Sequence, residues 1–275
     1  MQRLEIRTAI LSLTASGACV VSAQASYDLA RKCNDYCASL HYSEPSRWGF
    51  FATLPSRLDT DAALAGISHA FDVLGADGVT MFTRYRYGST CLGHSSLEPI
   101  WAELNRRKAV VFVHPTHPVD TNKVNPKMPQ PVIDYPHETT RTAVDVIIQG
   151  ARRKSPGCKV ILSHAGGALP YLVSRIATPL KNVPNAMAFP VTRLTQEKAM
   201  ADYRSFYHDV TLSAAPGLLR MLLDSVPHEC ILYGSDFPYA PPPAYTAFLQ
   251  ELEGFDMDAD TCAKLNRKNA HALVP

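Results

Sequence analysis

The sequence predicts an α/β chain built on a parallel sheet, and three observations predict it. Short runs rich in Val, Ile and Phe recur along the chain, as strands buried on both faces should. Each run is followed by a segment in which apolar residues return every three or four positions, the period of an amphipathic helix. Seven strand-helix units can be counted, one short of the eight that a closed (β/α)8 TIM-like barrel needs. Either one strand is missing or the sheet is open and doubly wound. At 275 residues with 46% hydrophobic content, the chain suffices for one domain spanning residues 1–275.

The elements follow in order. The opening stretch "MQRLEIRTAILSLTASGACVVSAQASYDLA" has two readings. Arginines before an apolar run that ends in small residues give the layout of a secretory signal peptide, whereas Thr8 to Leu13 also reads as a strand leading into a helix. The next strands are Trp48 to Thr53, Gly78 to Thr83, Val110 to Val113, Lys159 to Ser163, Asp209 to Leu212 and Cys230 to Tyr233. Helical segments such as "DTDAALAGISHAFDVLG" and "SLEPIWAELNRRKA" lie between them. Asp59 to Asp61, Ser95-Ser96 and Glu138 to Thr140 supply helix starts, and Gly75, Gly157 and Gly254 supply stops. The Pro-rich "HPTHPVDTNKVNPKMPQPVIDYP" is too long for an ordinary connector and reads as a loop covering a site.

Charge and cysteine content narrow the function. A net charge of +2 with interspersed signs leaves no basic face for nucleic acid or a membrane surface, so the expected partner is a small molecule. Thr8, Ser12, Thr14, Ser16 and Gly17 interrupt the N-terminal apolar run, which is therefore no membrane span. Seven scattered cysteines suit free thiols in the reducing cytosol better than a disulfide framework. Cys33 and Cys37 lack a second pair that would complete a zinc site.

Three polar residues sit at or just past the C-terminal ends of expected strands, the rim where parallel α/β folds place their chemistry. They are His114 in "VVFVHPTHP", His164 in "VILSHAGGALP" and Asp236 in "ILYGSDFPYAPP". One such residue alone reads as a core histidine or a helix cap. Three at corresponding ends point to a divalent cation, zinc first and manganese second. Gly166 and Gly167 would let the chain turn sharply after His164 and leave room for a substrate. His94, His117 and His137 read as loop residues on the same face, and His41, His69, His208, His228 and His271 fall in helical or flanking positions. No glycine-rich phosphate loop and no GxSxG elbow occurs.

At these residues the chain resembles the metal-dependent amidohydrolase superfamily, in the branch of aminocarboxymuconate-semialdehyde decarboxylase and the non-oxidative aromatic acid decarboxylases. Within it, the chain is most similar to the fungal 6-methylsalicylate decarboxylases of polyketide pathways. The segments "WAELNRRKAVVFVHP", "DYPHETTRTAVDVI", "VILSHAGGALPYLVSRI", "ILYGSDFPY" and "LNRKNAHAL" carry the resemblance in order. It implies an amidohydrolase-type barrel with His114 as a metal ligand after the fifth family strand and Asp236 as the ligand after the eighth. His164, after the sixth, becomes the catalytic histidine beside the metal, with Asp236 the candidate proton carrier; these two roles could be exchanged. The family's HxH pair on its first strand has no counterpart, since HxH occurs nowhere in this sequence. Thr8 to Leu13 then becomes the family's second strand, and the export reading recedes. The resemblance further implies a homodimer or larger oligomer. Two other readings stay open: a metal-dependent lactone or amide hydrolase, and a weakly active or non-catalytic copy, suggested by the absent HxH.

Overall fold

The computed structural model describes residues 1, 5–20, 23–55, 59–85, 90–118, 120, 122–183 and 194–274. The main sheet contains strands β1 (Ala9–Ser12), β2 (Trp48–Thr53), β3 (Gly78–Phe82), β6 (Val110–His114), β7 (Lys159–Leu162), β8 (Tyr207–Asp209) and β9 (Ile231–Leu232). They are hydrogen-bonded in that order, and every pairing is parallel. A small antiparallel hairpin, β4 (Arg84–Tyr85) with β5 (Thr90–Cys91), rises from the end of β3. The seven strands and their order agree with the sequence, and the opening stretch is indeed a sheet strand, with Ala9 opposite Trp48 and Ser12 opposite Phe51.

Alternation along the strands shows the sheet to be curled. Phe50 and Ala52 of β2, Val111 and Val113 of β6, and Val160 and Leu162 of β7 join the large core shared with helical residues such as Ile67, Ile100 and Ile147. The intervening Phe51, Val110 and Ile161 pack instead with Leu232 of β9 and with Leu273 near the C-terminus. Strands far apart in the order therefore share one inner cluster, as a sheet wrapped toward a (β/α)8 barrel requires. Leu273 is held in place by Asn269, whose amide donates to the carbonyls of His228 (2.7 Å) and Ile231 (2.8 Å). This is the structural use of the terminal "LNRKNAHAL" motif.

Helices cover the outer face: α1 (Ala23–Ser43), α2 (Thr60–Asp72), α3 (Glu98–Arg106), α4 (Pro131–Gln149), α5 (Ala151–Lys154) and α6 (Leu169–Asn182), followed by Gln196–Arg204, Pro216–Ser225 and Pro242–Glu253. Asp59 caps α2 as expected, its carboxylate accepting from the Ala62 amide at 2.9 Å. β1 reaches only as far as Phe51 on β2, and Asn34 of α1 takes over beyond it. Its side chain accepts from the Thr53 amide (2.9 Å) and donates to the Thr53 carbonyl (3.0 Å), replacing a strand partner. Among the described residues no helix is long and apolar enough to cross a membrane.

Several boundaries differ from the sequence reading. Glu138 to Thr140 do not start a helix, because α4 already begins at Pro131, where proline's fixed φ and missing amide suit a first turn. The Pro-rich cover therefore ends at Gln130, and Pro136 and His137 are helical. Gly150, with φ +75°, closes α4 in place of Gly157. Ser95-Ser96 open a 3-10 turn that leads into α3. β8 runs from Tyr207 to Asp209, two residues earlier than expected, so His208 lies in a strand.

Candidate active site

His114, Ser163 and Asp209 belong to the inward-facing series of β6, β7 and β8, in step with Phe112, Ile161 and Tyr207. His114 ends β6 and is 7% exposed. Its Nδ1 lies 2.7 Å from the Pro115 carbonyl, which can only accept, so Nδ1 carries the hydrogen and the Nε2 lone pair is left for a ligand role. Burial, with His164 alongside, pushes its pKa down to about 4. Among the described residues four rings surround the imidazole: Phe112 at 6.0 Å, Phe82 and His164 at 6.1 Å, and Tyr135 at 6.2 Å between centroids.

His164 follows β7 in a left-handed conformation, with φ +53°, and Ala165, Gly166 and Gly167 continue the positive-φ run. A left-handed non-glycine residue costs roughly 1–2 kcal/mol, and such strain concentrates where a side chain must be aimed. The turn is pinned by the His164 amide, which donates to Asp209 Oδ1 at 3.1 Å. His164 Nδ1 is buried and makes no hydrogen bond among the described residues. Burial lowers its pKa to about 4, so near neutral pH it is an uncharged imidazole.

Asp236, past β9, repeats the device with φ +57°. Burial, reinforced by the negative charge of Asp209, raises its pKa to about 6. Asp209 is itself raised to about 6 by burial, although the Thr211 and His164 amides oppose that shift. The site therefore sets two neutral imidazoles against two carboxyl groups that hold their protons unusually well. Asp209 was not among the residues singled out from sequence. Its signal was present, since it falls two residues after inward Tyr207, but placing the strand at 209–212 made it look like a strand start.

The structure thus puts His114 beside His164 and brings Asp236 within electrostatic reach of Asp209. His117 stands near the rim, 6.4 Å from Tyr135, whereas His94 caps the turn before α3. His208 points outward beneath the His164 turn, its Nδ1 3.1 Å from the Ala165 carbonyl. The space left by Gly166 and Gly167 is not for a substrate. A Cβ on Gly166 would meet His208 Nδ1 at 2.9 Å, and one on Gly167 would meet the Pro136 carbonyl oxygen at 2.0 Å.

The donor chemistry fits a divalent cation: uncharged imidazoles, carboxylates and an unpartnered buried ring nitrogen. Among the described residues no three His, Cys, Asp or Glu side chains gather closely enough to hold an ion on their own.

A family model described as Amidohydrolase matches residues 1–275. A 6-methylsalicylic acid decarboxylase of Penicillium expansum is 44% identical over 277 residues, covering 100% of this chain and 83% of that protein. Another from Aspergillus aculeatus is 46% identical, covering 99% of this chain and 83% of that protein. Among solved structures, an amidohydrolase II superposes with a TM-score of 0.89 at 29% identity, over 100% of this chain and 86% of the other. A Polaromonas dihydroxybenzoic acid decarboxylase, solved with manganese and 2-nitroresorcinol, shares the fold at a TM-score of 0.84 and 21% identity, over 100% of this chain and 83% of the other.

Proposed function

The chain belongs to the amidohydrolase family, and from that premise we propose that it removes CO₂ from an o-hydroxyaryl carboxylic acid, 6-methylsalicylate foremost, giving 3-methylphenol. The observation that carries the chemistry is the meeting of His114 and His164, 6.1 Å apart, at the sheet end that also bears Asp209 and Asp236. The substrate follows the 44% and 46% identical decarboxylases, each matched over nearly all of this chain. The lactone or amide hydrolase reading has no comparable support.

His114, His164 and Asp236 would contribute ligands to a divalent metal, zinc first and manganese second, without completing its shell. When bound, it would anchor the phenolate and carboxylate oxygens of the acid and offset their charge. The chain's own task is then to move one proton. The ring carbon bearing the carboxylate must accept a proton before the bond to the carboxyl carbon can break, and this suspends aromaticity. Asp236, aimed at the rim by its positive φ and lying within electrostatic reach of Asp209, suits the delivery of that proton. His164, neutral and fixed by its strained turn, suits orienting the acid. As CO₂ leaves, its bonding pair returns to the ring and aromaticity is restored. We place this chemistry in one domain over residues 1–275, in a cytosolic homodimer or larger assembly; the free thiols of Cys33, Cys37, Cys91, Cys158, Cys230 and Cys262 suit that compartment.

The test is direct. Metal-loaded protein incubated with 6-methylsalicylate should release CO₂ and 3-methylphenol in equal amounts. His164→Ala and Asp236→Asn should each lower kcat/KM by at least about 100-fold. No CO₂ from any o-hydroxyaryl acid would end the proposal, and turnover of a lactone panel instead would favour the hydrolase.

A further inference from the structure

Of the four rings around His114, Phe82 and Phe112 have no polar tip and His164 already has a role. Tyr135 remains. It sits in the first turns of α4, half-buried, with its ring edge-on to His114 (6.2 Å, 80°) and to His117 (6.4 Å, 64°). Its hydroxyl makes no hydrogen bond among the described residues.

The start of α4 is fixed from two sides. Thr140 Oγ1 donates to the Pro136 carbonyl (2.8 Å) and accepts from the Ala168 amide (2.8 Å), tying Tyr135's turn to the His164 loop. On the other side Glu138 is buried against Arg84 of β4, and Thr142 Oγ1 donates to the Thr83 carbonyl at 3.0 Å. An aromatic donor is therefore held on a rigid element beside a candidate ligand, with no hydrogen-bond acceptor among the described residues.

We infer that Tyr135 contacts the substrate: its ring walls the aromatic acid on the α4 side of His114, and its hydroxyl donates a hydrogen bond to the acid's ortho oxygen. The inference rests on the decarboxylase reading and adds to it a specificity-determining residue. Electron flow selects the ortho oxygen over the carboxylate. Once the ring carbon is protonated, the bond to the carboxyl carbon breaks and its electron pair runs into the ring and onto the ortho oxygen, as CO₂ departs uncharged. A donor on the carboxylate would lose its partner in that step, whereas one on the ortho oxygen gains as charge arrives.

The experiment is a binding contrast with two acids that differ only in the ortho hydroxyl. Calorimetric titration of the manganese-loaded protein with salicylate and with benzoate should show salicylate preferred. Tyr135→Phe, which keeps the ring and should leave the thermal melt unchanged, should shrink that preference by about tenfold, the value of one hydrogen bond. Tyr135→Ala should weaken both acids by removing the wall. With 6-methylsalicylate, Tyr135→Phe should lower kcat more than it raises KM. An undiminished salicylate preference in Tyr135→Phe overturns the inference, as does wild-type protein that binds neither acid. Wild-type protein that binds salicylate but releases no CO₂ from any o-hydroxyaryl acid overturns the decarboxylase reading alone, and the binding contrast still decides the role of Tyr135.

Discussion

Replacing Gly167 by alanine tests whether the join between α4 and the His164 loop is as tight as it looks. Gly167 has φ +64° and ψ −125°, a region that glycine enters at ease and other residues do not. Forcing alanine into it costs about 1–3 kcal/mol. The new Cβ would also stand 2.0 Å from the Pro136 carbonyl oxygen and 2.6 Å from Thr140 Oγ1. Both belong to α4, so the helix and the loop must part by more than an ångström. Overpacking of this kind costs about 1–3 kcal/mol more. The expected loss is about 2–6 kcal/mol, which for a chain of this size lowers Tm by about 5 to 20 °C. Gly217→Ala is the matched control. It lies in the helix Pro216–Ser225 with nothing within 4 Å of the new methyl, and should gain about 0.5–1 kcal/mol from helix propensity. Urea and thermal unfolding of both variants decide the matter. A Gly167→Ala protein within about 0.5 kcal/mol of wild type, or one no less stable than Gly217→Ala, would refute the argument.

Three further outcomes are expected. Arg84→Ala leaves the carboxylate of Glu138, which is 2% exposed, with the looser Arg141 pair at 3.8 Å, and should destabilise by about 3 kcal/mol in denaturant unfolding, whereas Arg84→Met with Glu138→Leu should recover most of it. Glu103 is held down to about 2, first by its hydrogen bond from Arg106 and then by Arg107, which also pairs with Asp72 across α2 and α3. Because its folded pKa lies below the unfolded value of 4.5, its contribution is fully present above pH 4.5 and fades as the pH falls toward 2. A carboxyl-resolved NMR titration should show this, and Arg106→Ala should move the midpoint back toward 4.5. Removing divalent metal with a chelator should abolish CO₂ release while leaving the helical circular dichroism signal nearly intact, because the described core of Phe50, Ile67, Ile100 and Leu162 needs no ion. Adding back manganese or zinc should restore it.

The sheet was legible because its signal is local and repeated. Runs such as Val110–Val113 and Val160–Leu162 are apolar at every position, the mark of a strand covered on both faces, and each resulting strand starts within two residues of its expected place. His114, His164 and Asp236 were legible because each breaks such a run at one consistent end. Asp209 and Tyr135 were not, for two different physical reasons. Asp209 lies in the short, mixed run Tyr207-His208-Asp209, so only the parity of a correctly registered strand shows that it faces inward with His114. Tyr135 lies in a proline-rich stretch that reads as loop, and it reaches His114 only because α4 starts at Pro131 and is clamped by Thr140 and Glu138. Backbone strain adds a signal that the sequence pattern does not carry: His164 and Asp236 take positive φ, whereas His114, Asp209 and Tyr135 sit in ordinary strand and helix geometry. Strain of this kind concentrates where a side chain just past a strand end must be aimed.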